Sequence, residues 1–162
     1  MTAAIFNEWV NQYADAVYRF ILKNLRHEED ARDIVQTAYE KLWVNREKVT
    51  PETVKSYLFT IAYNLMIDHL RKSRRIDYTD QFKAEPIVQP AKGKEMQQLL
   101  HEALELLSPR SRSLILLKDY EGYSYEEIGK ITGLNSGQVR VTLHRARLKL
   151  RDYLVSVEKN LE

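Results

Sequence analysis

The sequence predicts an all-α protein made of two small helical domains joined by an extended linker. Apolar residues recur mostly at helical spacing in both parts of the chain. Only 5 Gly and 4 Pro punctuate the 162 residues, so few positions break a helix. Two of those prolines fall in IDYTDQFKAEPIVQPAKGK, a stretch without sustained periodicity. We therefore expect domains over residues 1–75 and 94–162, with a linker over 76–93.

Composition excludes several classes of protein. The chain has no Cys, which rules out disulfides, thiolate metal sites and a cysteine nucleophile and fits a reducing cytoplasm. The N-terminus carries Glu8 and Asp15 and lacks a basic stretch before an apolar core, so we do not expect a signal peptide. No apolar run approaches the roughly 20 residues that cross a bilayer, and no membrane insertion is expected. The net charge of +2 does not by itself argue for nucleic acid.

In the first half, RHEEDARDIVQTAYEKLWVNREKV predicts a helix with one apolar and one polar face. The inward side is predicted to hold Ala31, Ile34, Val35, Ala38 and Leu42. The outward side is predicted to hold Asp33, Gln36, Thr37, Glu40 and Lys41. Periodicity alone leaves open whether this polar face is merely solvated or binds a partner.

The segment TPETVKSYLFTIAYNLMIDHLRKSRR predicts a second helix that is apolar around most of its circumference. Such a helix is expected to be buried on two sides. What remains outward is a narrow strip of Tyr57, Thr60, Asn64, Ile67 and Arg71, followed by Lys72 and further cations. An aromatic ring, an amide and several cations along one line can bind the backbone and the unstacked bases of a single DNA strand. For Asn64, a purely structural role is equally compatible with the pattern.

The second half predicts four helices. Their expected bounds are Lys94–Leu107, Arg110–Tyr120, Tyr125–Thr132 and a last helix from a cap at Asn135 or Ser136 to about Val157. Ser108 can cap the second of them with Pro109 at its first position. Ser124 and Glu127 have the spacing of a capping box for the third.

The last two of these helices have helix-turn-helix spacing. Gly129 is small where two helices cross closely, and Gly133 makes the turn four residues later. In this motif the second helix enters the major groove of DNA. A core stripe is predicted at Val139, Leu143, Ala146, Leu150, Tyr153 and Leu154.

The same last helix carries a cluster of cations on its other faces. Its first turns present Arg140, Val141, His144 and Arg145 outward, where a recognition helix reads bases. Farther along the helix lie Arg147, Lys149 and Arg151, whose side chains are equally compatible with binding DNA phosphates and with being solvated. Exposed helix cations often do no more than solvate a surface, but here caps, turn, core stripe and cation placement agree.

Together the two halves resemble a known family. The motifs are DARDIVQTAYEKLW, SYLFTIAYNLMIDHLRKSRR, LSPRSRSLILLKDYEGYSYEEIGKITG and NSGQVRVTLHRARLKL, which occur in order over most of the chain. They are similar to those of the extracytoplasmic-function sigma factors of bacterial RNA polymerase, the small two-domain branch of the sigma-70 family. The resemblance implies a region 2 type helical bundle, then a region 4 type helix-turn-helix.

The resemblance also implies roles for residues and partners. The first half would dock on the clamp of core polymerase through Asp33, Gln36, Thr37 and Glu40. It would engage the −10 element through the loop at 45–55 and through Tyr57, Thr60, Asn64, Arg71 and Lys72. The second half would contact the polymerase flap and bind the −35 element through Ser136, Gln138, Arg140, Val141, His144, Arg145 and Arg147. Members of the family are often held inactive by an anti-sigma factor, so such a partner is an expectation.

The chain departs from the family pattern at a few positions. Thr37-Ala38-Tyr39 stands where Glu-Ala-Phe is common, Val141 where Ser or Thr is frequent, and Gln138 where Thr is frequent. These changes bear on the promoter sequence that is read. Two modules on a linker have no fixed spacing, and polymerase is expected to hold them at promoter spacing.

Two other classes of function fit the sequence less well. A stand-alone helix-turn-helix regulator would bind DNA tightly without polymerase, usually at a palindromic site. An enzyme is disfavoured because the four histidines are scattered and no metalloprotease, nucleophile or nucleotide-binding motif occurs. His69 in particular is predicted to be a packed side chain. We expect no catalytic residue, metal or cofactor.

Overall fold

The computed structural model describes residues 2–73 and 95–160, with the last of these by its backbone alone. The predicted linker and the domain limits beside it lie outside these residues. The described part contains seven α-helices and no strand, which confirms the all-α fold class. The helices are α1 (Ala3–Leu25), α2 (Glu28–Val44), α3 (Val54–Ser73), α4 (Met96–Glu105), α5 (Pro109–Ile115), α6 (Tyr125–Thr132) and α7 (Ser136–Asn160). We call residues 2–73 the N-terminal half and residues 95–160 the C-terminal half.

The N-terminal half is a bundle of α1, α2 and α3, each packed against the other two. Arg26 takes a left-handed conformation (φ 53°) after α1, and its backbone N–H bonds to the carbonyl of Leu22. This abrupt stop lets α2 begin two residues later and fold back. Large side chains fill the centre of the bundle, and Phe20, Leu42 and Phe59 are almost fully buried.

In the C-terminal half, α7 packs against α4, α5 and α6. Ser108 accepts a hydrogen bond from the backbone of Ser111, with Pro109 in the first turn of α5, as predicted. The predicted single helix from Arg110 to Tyr120 is corrected, because α5 widens after Ile115 into a π-helical turn, Leu116–Tyr120. Such turns often mark functional sites, since they re-aim side chains within a helix.

The two halves pack against each other, a point that the sequence alone leaves open. One continuous cluster of buried apolar side chains runs through both. At its middle the ring of Phe59 on α3 lies 5.2 Å from the ring of Tyr123. The prediction that α3 is buried on two sides is confirmed, with α1 and α2 on one side and α6 on the other.

A buried polar contact, which we call the seam, joins the halves. It consists of Asn24 at the end of α1 and Arg112 and Ser113 on α5, all three buried. Arg112 donates hydrogen bonds to the carbonyls of Leu104 (2.9 Å), Leu107 (3.1 Å) and Asn24. These carbonyls belong to the C-terminal ends of α4 and α1, where helix dipoles favour a cation.

Two ion pairs flank the seam at the surface. Arg19 makes two hydrogen bonds of 3.0 Å to Glu121, whose side chain is only 6% exposed. Arg26 lies 2.8 Å from Glu105, and both of these side chains are about half exposed. The second pair is therefore worth little in stability, while the first is shielded on one side from solvent.

Candidate nucleic-acid interface

The helix-turn-helix forms as its spacing predicts. Ser124 and Glu127 exchange two side-chain-to-backbone hydrogen bonds (3.1 and 3.2 Å) at the start of α6. Gly133 ends the helix with a left-handed φ of 79°. A Cβ atom on Gly129 would lie 2.7 Å from the carbonyl oxygen of Leu134, so only glycine allows this approach of the turn.

Asn135, and not Ser136, caps α7. Its Oδ1 accepts a 2.8 Å bond from the backbone of Gln138, and Gln138 Oε1 accepts a 3.0 Å bond from the backbone of Asn135. This reciprocal pair engages the side-chain oxygen of Gln138, a predicted −35 contact. The amide nitrogen of Gln138 is then left to donate to a base, and its oxygen keeps one lone pair.

The outward face of the first turns of α7 gathers the predicted −35 residues. Val139, Leu143 and Ala146 are buried beneath it, as the predicted core stripe requires. The exposed residues on the other faces include all of those predicted to contact the −35 element: Ser136, Gln138, Arg140, Val141, His144, Arg145 and Arg147. Val141 is 48% exposed, which leaves an apolar side chain among polar ones at the surface that would face a groove.

Three residues that the sequence did not single out lie beside these cations: Lys118, Asp119 and Tyr125. The guanidinium carbon of Arg140 lies 5.1 Å from the centre of the Tyr125 ring, and the ammonium of Lys118 lies 4.7 Å from the same centre. Arg147 donates a 2.8 Å hydrogen bond to Asp119, which raises the pKa of its guanidinium. Lys118 and Asp119 come from the π-helical turn, and no periodicity in the sequence signals their position beside α7.

The predicted −10 strip lies along one side of α3. Asn64, Arg71 and Lys72 are exposed, and Tyr57 and Thr60 are half-buried. Thr60 donates its hydroxyl to the carbonyl of Ser56 at 2.7 Å, so its oxygen is free only to accept. This side differs from the one that carries Phe59, which packs against the C-terminal half.

The predicted polymerase-binding face of α2 is also outward. Asp33, Gln36 and Glu40 are exposed, and Thr37 is half-buried. The amide of Gln36 lies 3.4 Å from the carboxylate of Glu40. The apolar side of the same helix is buried, apart from the half-buried Val35, as predicted.

One prediction about a histidine is wrong. His69 is not a packed core side chain, because its side chain is 38% exposed and its Nε2 lies 3.2 Å from Asp30 Oδ2. The same carboxylate oxygen lies 3.2 Å from Nδ1 of His27. Within the described residues, no group of three such side chains has the geometry of a metal site. No helix in the described part of the chain is long and apolar enough to span a membrane.

Comparison with protein families gives two matches along the chain. The family described as sigma-70 region 2 matches residues 9–76, and the family described as sigma-70, region 4 matches residues 97–150. The RNA polymerase sigma factor SigV of Bacillus subtilis is 37% identical over 153 residues, covering 92% of this chain and 90% of that protein. The ECF RNA polymerase sigma factor SigE of Mycolicibacterium smegmatis is 34% identical, and this chain spans 61% of its length.

Solved structures with a similar fold include two protein complexes. The sigma factor RpoE of Bartonella quintana, in complex with the anti-sigma factor NepR, is 28% identical with a TM-score of 0.74. The match covers 92% of this chain and 96% of that one. CnrH, in complex with the cytosolic domain of CnrY, is 23% identical with a TM-score of 0.71, covering 96% and 90% of the two chains. This second likeness concerns the fold alone.

Proposed function

Because the chain belongs to the extracytoplasmic-function branch of the sigma-70 family, we propose that it is a promoter-specificity subunit of RNA polymerase. In this role it binds core polymerase in the cytoplasm and directs where transcription begins. The role requires no catalysis by the chain itself. An anti-sigma factor is proposed as a further partner, by analogy with RpoE.

The observation that carries the proposal is the outward face of α7. Arg140, Val141, His144 and Arg145 are exposed together on α7, which its cap, the turn before it and its buried stripe hold as the second helix of a helix-turn-helix. Arginine pairs bidentately with guanine, and an exposed valine suits a thymine methyl group. We propose that these four residues, with Ser136, Gln138 and Arg147 beside them, read the −35 element.

The N-terminal half is proposed to dock on polymerase and to hold the −10 element. The α2 face with Asp33, Gln36, Thr37 and Glu40 would meet the clamp. The α3 strip with Tyr57, Thr60, Asn64, Arg71 and Lys72 would capture the separated strand. Flipping a base costs a few kcal/mol, and stacking or pocket hydrogen bonds must return about that much. Since no nucleotide-binding loop occurs in the sequence, capture alone has to drive this melting.

Run-off transcription with core polymerase on a random promoter library tests the proposal directly. The wild-type chain is expected to select promoters with defined −35 and −10 elements. Arg140→Ala should cost about 1–3 kcal/mol of −35 recognition and relax the preference at one base pair. Arg151→Ala, a change at an exposed arginine farther along α7, is the matched control and should leave promoter choice unaltered. Unchanged promoter choice in the Arg140 variant would count against the proposal.

A gel shift separates this role from that of a stand-alone helix-turn-helix regulator. The alternative requires tight, specific DNA binding by the chain alone, whereas a sigma factor needs core polymerase to bind well. The comparisons with known proteins do not favour the alternative. Equal affinity for promoter DNA with and without core enzyme would revive it.

A further inference from the structure

Two cations of the proposed −35 surface share one aromatic ring. Tyr125 is half-buried at the first position of α6, and its ring lies close to Arg140 on α7 and Lys118 on the π-helical turn. Both distances fall within the roughly 6 Å over which a ring attracts a cation. Tyr125 also contributes, after Asp119, to raising the pKa of the Arg147 guanidinium. One residue thus contacts cations from two separate elements.

The contact matters for base reading because arginine is long and flexible. An unrestrained arginine loses side-chain entropy when a base fixes it in place. A ring that already holds Arg140 reduces this loss and limits the directions in which the guanidinium fork points. Asp119 restrains Arg147 in the same way through a 2.8 Å hydrogen bond.

We propose that Tyr125 is a positioning residue for −35 recognition, which aims Arg140 at its base while contacting no base itself. The proposal rests on the proposed function, because it concerns how that same surface reads DNA. The face of the aromatic ring attracts the guanidinium of Arg140. Phenylalanine at position 125 should therefore position Arg140 as tyrosine does, and a non-aromatic side chain should not.

The experiment compares Tyr125→Phe, Tyr125→Leu and Tyr125→Gln in transcription from the random promoter library. The Leu and Gln variants are expected to flatten base preference about 3–10-fold at the base pair whose preference Arg140→Ala removes. The Phe variant should keep that preference. Adding Tyr125→Leu to Arg140→Ala should cause no further loss at that pair, because the side chain that Tyr125 positions is already absent. Thermal melts test whether each variant is folded. If the Leu variant is unfolded, the Gln variant provides the comparison instead.

A uniform loss of transcription with unchanged base preference in both non-aromatic variants would overturn the proposal. So would additive losses in the double variant. Failure of the proposed function looks different, since the wild-type chain would then select no promoter at all.

Discussion

Replacing Arg112 with methionine tests whether the seam couples the two halves. Methionine retains an unbranched apolar stem and removes the guanidinium. The seam then loses the hydrogen bonds that Arg112 donates, of which the three shortest reach the carbonyls of Leu104, Leu107 and Asn24. Because Arg112 is 8% exposed, water cannot easily replace those donors.

The expected cost follows from two opposing terms. Hydrogen bonds to a charged group contribute about 1.5–3 kcal/mol each, so three sum to about 5–9 kcal/mol. The variant also avoids the cost of burying a guanidinium, which is several kcal/mol. We therefore expect the free energy of unfolding to fall by about 2–4 kcal/mol. At a urea dependence near 2 kcal/mol per molar, the midpoint should fall by about 1–2 M.

Urea unfolding with two probes measures both stability and coupling. Both tryptophans, Trp9 and Trp43, lie in the N-terminal half, so their fluorescence reports on that half alone. Circular dichroism reports on helices in both halves. Since one of the lost bonds reaches Asn24 on α1, the fluorescence-detected midpoint should also fall, although Arg112 belongs to the other half. Arg151→Met, at an exposed arginine, should change stability by less than about 0.5 kcal/mol.

A loss below about 1 kcal/mol for Arg112→Met would refute the reasoning, because the buried carbonyls would then have found other donors. A fluorescence midpoint that stays unchanged while the dichroism midpoint falls would show that the bond to Asn24 does not couple the halves.

Three further predictions concern the remaining surfaces and the core. Gly129→Ala sets a Cβ atom 2.7 Å from the carbonyl oxygen of Leu134. It should therefore lower stability by about 1–3 kcal/mol in thermal melts and impair −35 recognition. Lys130→Ala on the same helix is the control and should have neither effect. Asn64→Ala should slow promoter opening, measured by permanganate footprinting, more than it weakens closed-complex binding; equal effects on both would remove Asn64 from strand capture. Burial raises the pKa of Tyr39 above its ordinary value of 10.0, so the unfolded chain loses that proton first and stability should fall as pH rises above about 10. Urea midpoints from about pH 8 to about pH 11 should therefore decline, and less so in Tyr39→Phe.

Local structure in the C-terminal half was predictable because the signals act over a few residues. The capping box of Ser124 and Glu127 and the left-handed turn at Gly133 depend on backbone groups close by in the chain. The buried stripe at Val139, Leu143 and Ala146 follows from the helical period alone. The outward position of the proposed −35 residues follows in turn, because they occupy the faces of α7 that the buried stripe does not.

Other features depend on which elements meet, and no local signal carries that information. The pattern of α3 predicted two buried sides, yet it could not say that the second would be covered by α6 of the other half. His69 lies on an apolar stripe, but Asp30 on a different helix draws it into a partly exposed pair. The ring contact between Tyr125 and Arg140 likewise joins two helices.

The sequence by itself therefore determined the helices, their caps, the helix-turn-helix and the faces that remain outward. Each of these is set by covalent geometry and by hydrogen bonds or apolar contacts within one or two helical turns. The tertiary structure alone decided that the halves pack, that Arg112 closes the ends of two helices from opposite halves, and that Tyr125 gathers the cations. Those outcomes depend on contacts between residues distant in the chain, whose free energies are settled only when the whole fold brings them together.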